Sequence, residues 1–297
     1  MRNVRMKEHI KRFLSRAGAH LVAPYIPDPR TSAAAKGAMV SIMVDLQATA
    51  RSPSSILPKL SDSGFRVFSQ FEEDGLLLYL AAVLELEPKI YLDIGSSDGI
   101  KSNCANLALN LGWHGLFIDA DERAISRGRE FYSRHPDTSL FPPLFKHAFI
   151  TAENINELVR EAEFAGNIGI CSIDIDGNDC WVWKALEVVS PAVVVIETHI
   201  EFGNLNIAVP YDPDIHYPPK HPGYLGASAL AMVSLATKKG YRLVGANRFG
   251  FNIIFVRNDV FPDRVPTVPV ESILLHPRHI KRLALFEPIK HLEYVSL

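Results

Sequence analysis

The feature that most constrains this chain is an apolar strand that runs into a glycine-bearing turn and then into a helix, over residues 89–111. Residues 90–94 form an apolar run typical of a buried strand, interrupted only by Asp93. Gly95 and Gly99 mark the turn, and apolar residues at helical spacing follow it. Because glycine has no side chain, such a turn lets the backbone approach a ligand closely. The sequence therefore predicts a ligand site directly after this strand.

The glycine spacing indicates which ligand fits. A dinucleotide-binding turn needs glycines at its first, third and sixth positions, but Ser97 and Ile100 occupy the third and sixth places here. The Gly-Lys-Ser/Thr ending of a P-loop is also missing. What remains is acid-x-Gly-x-x-x-Gly, formed by Asp93, Gly95 and Gly99. This pattern resembles the first motif of class I S-adenosylmethionine-dependent methyltransferases, whose cofactor lacks phosphate and carries cationic groups that a carboxylate would suit.

The resemblance implies that S-adenosylmethionine binds around this turn. Asp119 ends the next predicted strand about twenty residues further on, where an acid accepts a ribose hydroxyl in this kind of βαβ unit. Asp121 offers the same chemistry but also suits the N-cap of the next helix, so the two acids could exchange roles. The residues 72–74 are acidic and either complement a helix dipole or begin a lid from which Gln70 reaches inward. The predicted cofactor-binding residues are Gln70, Asp93, Gly95, Ser96, Ser97, Gly99, Asp119, Ala120 and Asp174.

Length and composition set the protein class. A chain of 297 residues that is 47% hydrophobic can bury one large core, or one core and a smaller appendage. The net charge of −2 gives no field that would attract nucleic acid, so we expect no nucleic-acid partner. Cys104, Cys171 and Cys180 lack metal-ligand spacing, and we expect a reducing, cytoplasmic setting. We also expect neither a secretory signal nor a membrane-spanning segment.

The N-terminal arm, residues 2–16, has six basic residues and one acid, with apolar residues three or four apart. This pattern predicts a short basic amphipathic helix. Such a helix either touches an anionic membrane surface or docks on its own domain or on a second subunit of a homo-oligomer. Docking is favoured, because one short helix binds membranes weakly.

The rest of the chain predicts an α/β fold. Strand and helix patterns alternate from residue 90 to residue 199, which indicates a doubly wound parallel sheet. Residues 241–246 and 251–257 are two further strands joined by a short turn, so they pair antiparallel. A hairpin that closes one edge of a parallel sheet is another hallmark of class I methyltransferases, and their Rossmann-like fold has seven strands. The expected organisation is a helical arm and linker over 1–60, a cofactor-binding domain over 61–260 and a C-terminal extension over 261–297.

Two of the predicted strands end in groups able to activate a hydroxyl. Asp174 and Asp176 follow the fourth strand, and Glu197 and His199 follow the fifth, so all four converge on one sheet edge. Under one hypothesis, His199 or Asp176 is a general base, and Glu197 orients the histidine. Under the other, Asp176 and Glu197 bind Mg²⁺ together with a neighbour, and the metal acidifies the hydroxyl.

Five stretches resemble the FkbM-like methyltransferases and together span much of residues 65–260: 69–75, 91–99, 172–186, 195–199 and 226–257. The more specific parts of this resemblance are the Ile-Asp-Ile-Asp-Gly-Asn-Asp segment with the glutamate that closes the fifth strand, and residues 240–245 leading into 251–257. Many FkbM-like sequences have Glu-Gly-Ala/Glu after the fourth-strand aspartate, where this chain has Gly-Asn-Asp. The resemblance implies O-methylation of a hydroxyl on a sugar, glycan or secondary metabolite.

Two segments outside the regular pattern are candidates for acceptor binding. The proline-rich loop 200–223 and its flank carry aromatic and histidine side chains that either cap the acceptor or line a stiff surface loop. The basic C-terminal residues either dock on the sheet, clamp an acidic substrate or form a dimer contact. The loop residues are Tyr211, His216, Tyr217, His221 and Tyr224, and the C-terminal ones are Arg278, His279, Lys281 and Arg282.

Two other functions fit parts of the pattern. A binding module could keep the nucleoside pocket without catalysing a reaction. A nucleotide-sugar-modifying oxidoreductase is disfavoured, because the third glycine of a dinucleotide turn is missing.

Overall fold

The computed structural model describes residues 28–215 and 218–297. The amphipathic helix expected over residues 2–16 lies outside these ranges, as do His216 and Tyr217 of the long loop.

Seven strands form the centre of the fold. They are β1 (Ile90–Ile94), β2 (His114–Asp119), β3 (Leu144–His147), β4 (Gly166–Ile173), β5 (Val189–Glu197), β6 (Tyr241–Ala246) and β7 (Asn252–Arg257). The sheet order is β3-β2-β1-β4-β5-β7-β6. The first five strands pair in parallel, and β7 is antiparallel to both of its neighbours. The expected doubly wound sheet closed by an antiparallel hairpin is confirmed.

Helices connect most of the strands. They are α1 (Ala33–Arg51), α2 (Glu73–Val83), α3 (Ala105–Leu111), α4 (Glu122–Arg134), α5 (Ile155–Glu161), α6 (Asp179–Ala185), α7 (Ala229–Lys238) and α8 (Pro277–Leu283). Asp98 and Thr151 are residue types that favour helix N-caps, but neither caps a helix here, because the helices that follow begin later. Asp98 accepts the amide of Ile100 within the turn (3.0 Å) instead of capping α3. Thr151 lies four residues before α5 and accepts the amide of Asn154 (3.3 Å).

Two hydrophobic cores cover the two faces of the sheet. Alternate residues of a strand point to opposite faces, so Tyr91 belongs to one core while Leu92 and Ile94 belong to the other. Helices α2, α3 and α4 cover the Tyr91 face, and α5, α6 and α7 cover the opposite face. The resulting three-layer packing buries both faces, as a parallel sheet requires.

The strand register brings four strand ends to one level. Ile94 of β1 is paired with Ile118 of β2 and with Ile173 of β4, and Ile173 is paired with Ile196 of β5. The residues one step further along these strands therefore form a row at the carboxyl edge of the sheet. In spatial order they are Asp119, Gly95, Asp174 and Glu197, and Asn252 is the register partner of Glu197 in β7.

The C-terminal segment packs against the loop that follows β5. Ala208 and Val295 exchange two backbone hydrogen bonds of 2.8 and 2.9 Å. Glu201 of the same loop forms an ion pair with Arg282 of α8. The C-terminal extension is therefore docked on the loop after β5, and its other possible roles stay predictions. Within the described ranges, every helix is too short or too polar to cross a bilayer.

Candidate active site

The carboxyl ends of β1, β2, β4 and β5 border a cavity of about 640 Å³. Eight of the nine predicted cofactor-binding residues line it, together with Asp176 and Glu197. Gly99 is the ninth; its carbonyl accepts a 2.6 Å hydrogen bond from the Tyr132 hydroxyl. The lining residues are Gln70, Asp93, Gly95, Ser96, Ser97, Lys101, Ser102, Asn103, Asp119, Ala120, Phe149, Ile150, Ser172, Asp174, Ile175, Asp176, Asn178, Glu197, Ile215 and Asn252.

The turn after β1 approaches the end of β4 too closely for any side chain. Gly95 has a φ of +84°, and a Cβ atom there would lie 1.7 Å from the carbonyl oxygen of Asp174. The Gly95 amide donates to the Ile118 carbonyl (2.9 Å), which also holds the turn against β2. Glycine is therefore required at this position by both conformation and contact.

The two acids after β2 have separate tasks. Asp121 is the N-cap of α4, where its Oδ1 accepts the amides of Arg123 (2.8 Å) and Ala124 (3.1 Å). Asp119 lines the cavity instead, and its carboxylate accepts the amides of Ser97 and Asp121. The helix cap is thus Asp121, and Asp119 is the acid placed to contact a ligand.

Asp93 is buried directly beneath the turn. Burial raises its pKa to about 6, although hydrogen bonds from Ser102 and from the backbone and side chain of Cys104 oppose this rise. The Cys104 amide lies 3.3 Å from Oδ2. An ionised carboxylate at this depth is unfavourable unless a cation or further donors reach it.

Three carboxylates gather at the ends of β4 and β5. Oxygen atoms of Asp174, Asp176 and Glu197 all lie within 4.8 Å of one another. Burial raises the pKa values of Asp174 and Glu197 well above their ordinary values, and the charges of neighbouring acids add to this effect. Partial burial raises the pKa of Asp176 as well, with a further contribution from Asp119. When they are ionised, these three carboxylates therefore repel one another unless a cation lies between them.

The loop after β4 is held in shape by a fourth acid. The buried Asp179 side chain accepts the amides of Ile175 (2.8 Å) and Gly177 (2.9 Å). Asp176 lies between these two residues and has a left-handed backbone with a φ of +56°. Residues other than glycine rarely adopt this conformation, and it persists where surrounding contacts enforce it. Asp179 thus fixes the loop that presents Asp176 to the cavity.

The donors of this cluster suit a hard divalent cation. Carboxylate oxygens are among the ligands that Mg²⁺ and Ca²⁺ prefer. Oε2 of Glu197 is buried and has no hydrogen-bond partner among the described residues. An unpartnered carboxylate oxygen in a group of three is chemically consistent with a cation-binding role.

His199 lies behind this cluster. Its Nε2 is 3.9 Å from Oε2 of Glu197 and has no hydrogen-bond partner in the described part of the chain. The ring packs against Gly226, where an added Cβ would be 2.3 Å from Cδ2. Burial lowers the pKa of His199, although Glu201 opposes this shift. His199 does not border the cavity, so its role as a base stays a prediction.

Several residues that line the cavity are absent from the sequence prediction, and Asn252 shows why. Asn252 borders the cavity and is oriented by the buried Glu73, whose Oε1 accepts the side-chain amides of Asn252 (2.9 Å) and Asn247 (2.8 Å). From the sequence alone, Glu73 belongs to an acidic helix start that complements a dipole or begins a lid. Its partners lie more than 170 residues away in sequence, and local patterns contain no signal for such a contact.

The described aromatic residues of the long loop pack on the protein itself. The Tyr211 hydroxyl donates to Oε2 of Glu153 (2.5 Å), and the Tyr224 hydroxyl donates to the carbonyl of Glu293 (2.5 Å). Among its described residues, the loop reaches the cavity through Ile215.

No family model matches the chain, and no curated protein matches it significantly. Among solved structures, an O-methyltransferase from Bacillus cereus in complex with SAH is 14% identical, has a TM-score of 0.41, and is matched over 84% of this chain and 97% of that chain. The N-terminal domain of EvdMO1 with SAH bound is 12% identical, has a TM-score of 0.44, and is matched over 73% and 95%. Monomeric WbdD is 18% identical with a TM-score of 0.36, over 57% of this chain and only 36% of that chain. At these similarities, the assignment of function depends on the residues of the site itself.

Proposed function

We propose that this protein is an S-adenosylmethionine-dependent O-methyltransferase. The observation that carries the proposal is the charge of the cavity beside the β1 turn. Five carboxyl groups line it (Asp93, Asp119, Asp174, Asp176 and Glu197), against one ammonium group, that of Lys101. A cationic ligand is attracted to such walls, whereas the pyrophosphate of a dinucleotide is repelled.

The residues divide between the parts of the cofactor. The backbone of Gly95 to Ser97 gives the nucleoside close access to the sheet edge, and Asp119 accepts the ribose hydroxyls. Asp93 and Asp174, with Gln70 above them, face the cationic amino-acid portion. Each carboxylate that is costly to ionise in the free protein becomes easier to ionise beside this positive charge.

The acid cluster is proposed to hold a divalent cation such as Mg²⁺ through Asp174, Asp176 and Glu197. When bound, this cation would lower the pKa of an acceptor hydroxyl, which is a poor nucleophile at neutral pH. The ring of His199 packs against Gly226 and does not reach the cavity. We therefore assign His199 a positioning role beside Glu197 rather than direct contact with the acceptor. Asp179 positions Asp176 through the backbone.

Catalysis here depends mainly on placement. S-adenosylmethionine, when bound, supplies an activated methyl group on a sulfonium. The chain must align an acceptor oxygen with that methyl, and holding two reactants in line is worth up to about 7–11 kcal/mol. The acid cluster at the ends of β4 and β5 is proposed to position the acceptor oxygen in this alignment. The FkbM-like motifs support a hydroxyl on a sugar, a glycan or a secondary metabolite as the acceptor.

The first experiment is a calorimetric titration of the full chain with S-adenosylhomocysteine and, separately, with NAD. We expect binding of the former and none of the latter. Binding of NAD alone would favour the oxidoreductase alternative. Binding of S-adenosylhomocysteine without any methylated product, across a panel of hydroxylated acceptors and labelled S-adenosylmethionine, would favour the non-catalytic binding module.

A further inference from the structure

A second cavity of about 370 Å³ opens beside the acid cluster. It shares Gln70, Asp174, Glu197 and Asn252 with the first cavity, so the two meet where the acceptor must lie. Its remaining wall comes from different parts of the chain: Phe71 precedes α2, Phe251 precedes β7, and Arg278 and Arg282 belong to α8.

The two arginines give this wall a positive charge opposite the acids. Nη2 of Arg282 is paired with Glu201, which is only 2% exposed, while the buried Nε of Arg282 has no hydrogen-bond partner among the described residues. Arg278 is exposed, and no described carboxylate lies within ion-pair distance of its side chain. Glu201 neutralises the charge of Arg282, so the wall retains the uncompensated charge of Arg278 and the buried Nε–H donor of Arg282.

Aromatic rings hold both guanidinium groups in place. Arg282 lies over the ring of Phe251 (5.1 Å to the centroid), and Arg278 lies over that of Phe249 (5.4 Å). Phe71 stacks on Phe251 with the ring centroids 5.8 Å apart. A guanidinium over a ring face keeps its in-plane N–H groups free, and those groups match the geometry of a carboxylate or phosphate. The ring faces also suit the apolar face of a sugar.

We infer that this second cavity binds the methyl acceptor and that the acceptor carries an acidic group, a carboxylate or a phosphate, held by Arg278 and Arg282. The inference rests on the proposed function. The acidic group of the acceptor lies on the arginine wall, while the reacting hydroxyl of the acceptor lies at the opposite wall near Asp174 and Glu197. This arrangement pairs each end of the acceptor with a wall of suitable charge, and a neutral analogue gains no ion pair with Arg278.

The test uses three hexose probes on the full chain saturated with S-adenosylhomocysteine: glucose, glucuronate and glucose 1-phosphate. Dissociation constants are measured by ligand-observed NMR titration at fixed ionic strength. We expect at least one charged probe to bind about tenfold more tightly than glucose, and the two charged probes separate carboxylate from phosphate. Equal affinity for all three probes, or the absence of binding by both charged probes, would overturn the inference.

Matched variants exclude a general charge effect. Arg278→Gln removes the unpaired guanidinium at an exposed position, and we expect it to weaken the charged probe about tenfold. Lys281→Gln removes a cation from the same helix at an exposed position that does not border the cavity, and we expect no change. An equal loss in both variants, or none in the first, would contradict the site. The S-adenosylhomocysteine titration on the same samples tests the proposed function separately. If the wild-type chain does not bind S-adenosylhomocysteine, the proposed function is refuted regardless of how the three hexose probes bind.

Discussion

The backbone amide of Ser97 donates a 2.6 Å hydrogen bond to Oδ2 of Asp119. This contact joins the turn after the first strand to the acid that ends the second. The other oxygen, Oδ1, accepts the amide of Asp121 (2.8 Å), so both carboxylate oxygens are held by fixed donors. Ser97 has a left-handed backbone with a φ of +52°, which the contact helps to maintain. The side chain of Asp119 is thus oriented before any ligand arrives.

The first prediction concerns this oriented acid. In Asp119→Asn, the new NH₂ group must face the amide of Ser97 or Asp121, and a charged acceptor for the ribose is lost. We expect the dissociation constant for S-adenosylhomocysteine, measured by calorimetry, to rise about tenfold to a hundredfold. Asp121→Asn is the matched control, because asparagine caps a helix as well as aspartate does. Similar losses in the two variants would show that Asp119 has no specific role.

A second prediction concerns the turn itself. Gly95→Ala places a methyl group against the Asp174 carbonyl in a left-handed conformation, and we expect the free energy of unfolding in urea to fall by about 3 kcal/mol or more. Gly112→Ala is the control, since Gly112 has a similar φ of +67° but nothing within 4 Å of the added Cβ. It should lose only about 1–2 kcal/mol, the cost of the left-handed conformation itself. Equal losses would mean that conformation alone, rather than the contact with β4, requires the glycine.

The strands, the hairpin and the acids at the strand ends were predictable from the sequence, because β2, β4 and β5 are largely apolar runs that end in an acid or lead directly into one. The sequence could not predict their register. A shift of two residues along β4 would keep the same side chains on each face, yet it would move Asp174 away from Gly95. The level row of strand ends depends on the close contact between these two residues, which local patterns do not encode.

Two helix starts and the long-range polar contacts could not be predicted from local sequence either. Asp98 and Thr151 are residue types that cap helices, but here they close turns before helices that begin later. Glu73 binds two asparagines of the hairpin, although an acid at a helix start has a sufficient local explanation in the dipole. Local sequence preferences therefore identify polar residues that matter for the fold, but they do not reveal which groups Asp98, Thr151 and Glu73 contact.

A third prediction links stability to pH through Asp93. Burial raises its folded pKa from the ordinary 3.8 to about 6, so ionisation disfavours the folded state. The destabilisation is complete above pH 6 and disappears as the pH falls towards 4, because the folded protein then holds the proton more tightly than the unfolded chain does. Its size is roughly 3 kcal/mol at most. Asp93→Asn should therefore raise the melting temperature at pH 8 and much less at pH 4.5.

The same substitution should weaken the binding of S-adenosylhomocysteine, since the carboxylate of Asp93 is proposed to face the cationic amino group of the ligand. Asp62→Asn, at an exposed position away from the cavity, serves as the control for both measurements. A melting-temperature gain that is equal at pH 8 and pH 4.5 would mean that the ionisation of Asp93 is not its cause.

The last prediction concerns the three clustered carboxylates. If Asp174, Asp176 and Glu197 hold a divalent cation, Mn²⁺ at a hundred times its dissociation constant should stabilise the fold by about 2.7 kcal/mol, or roughly 5–10 °C in melting temperature. Addition of EDTA should reverse the gain. Glu197→Gln removes one ligand together with the repulsion among the acids, so the melting temperature of the metal-free variant does not fall, but the increment caused by Mn²⁺ should be lost. Asp214→Asn, an exposed acid in the long loop outside the cluster, should keep the full increment. A wild-type protein that gains nothing from Mn²⁺, or an Asp214 variant that loses the gain as fully as the Glu197 variant, would leave direct proton transfer to a side chain as the route to an activated hydroxyl.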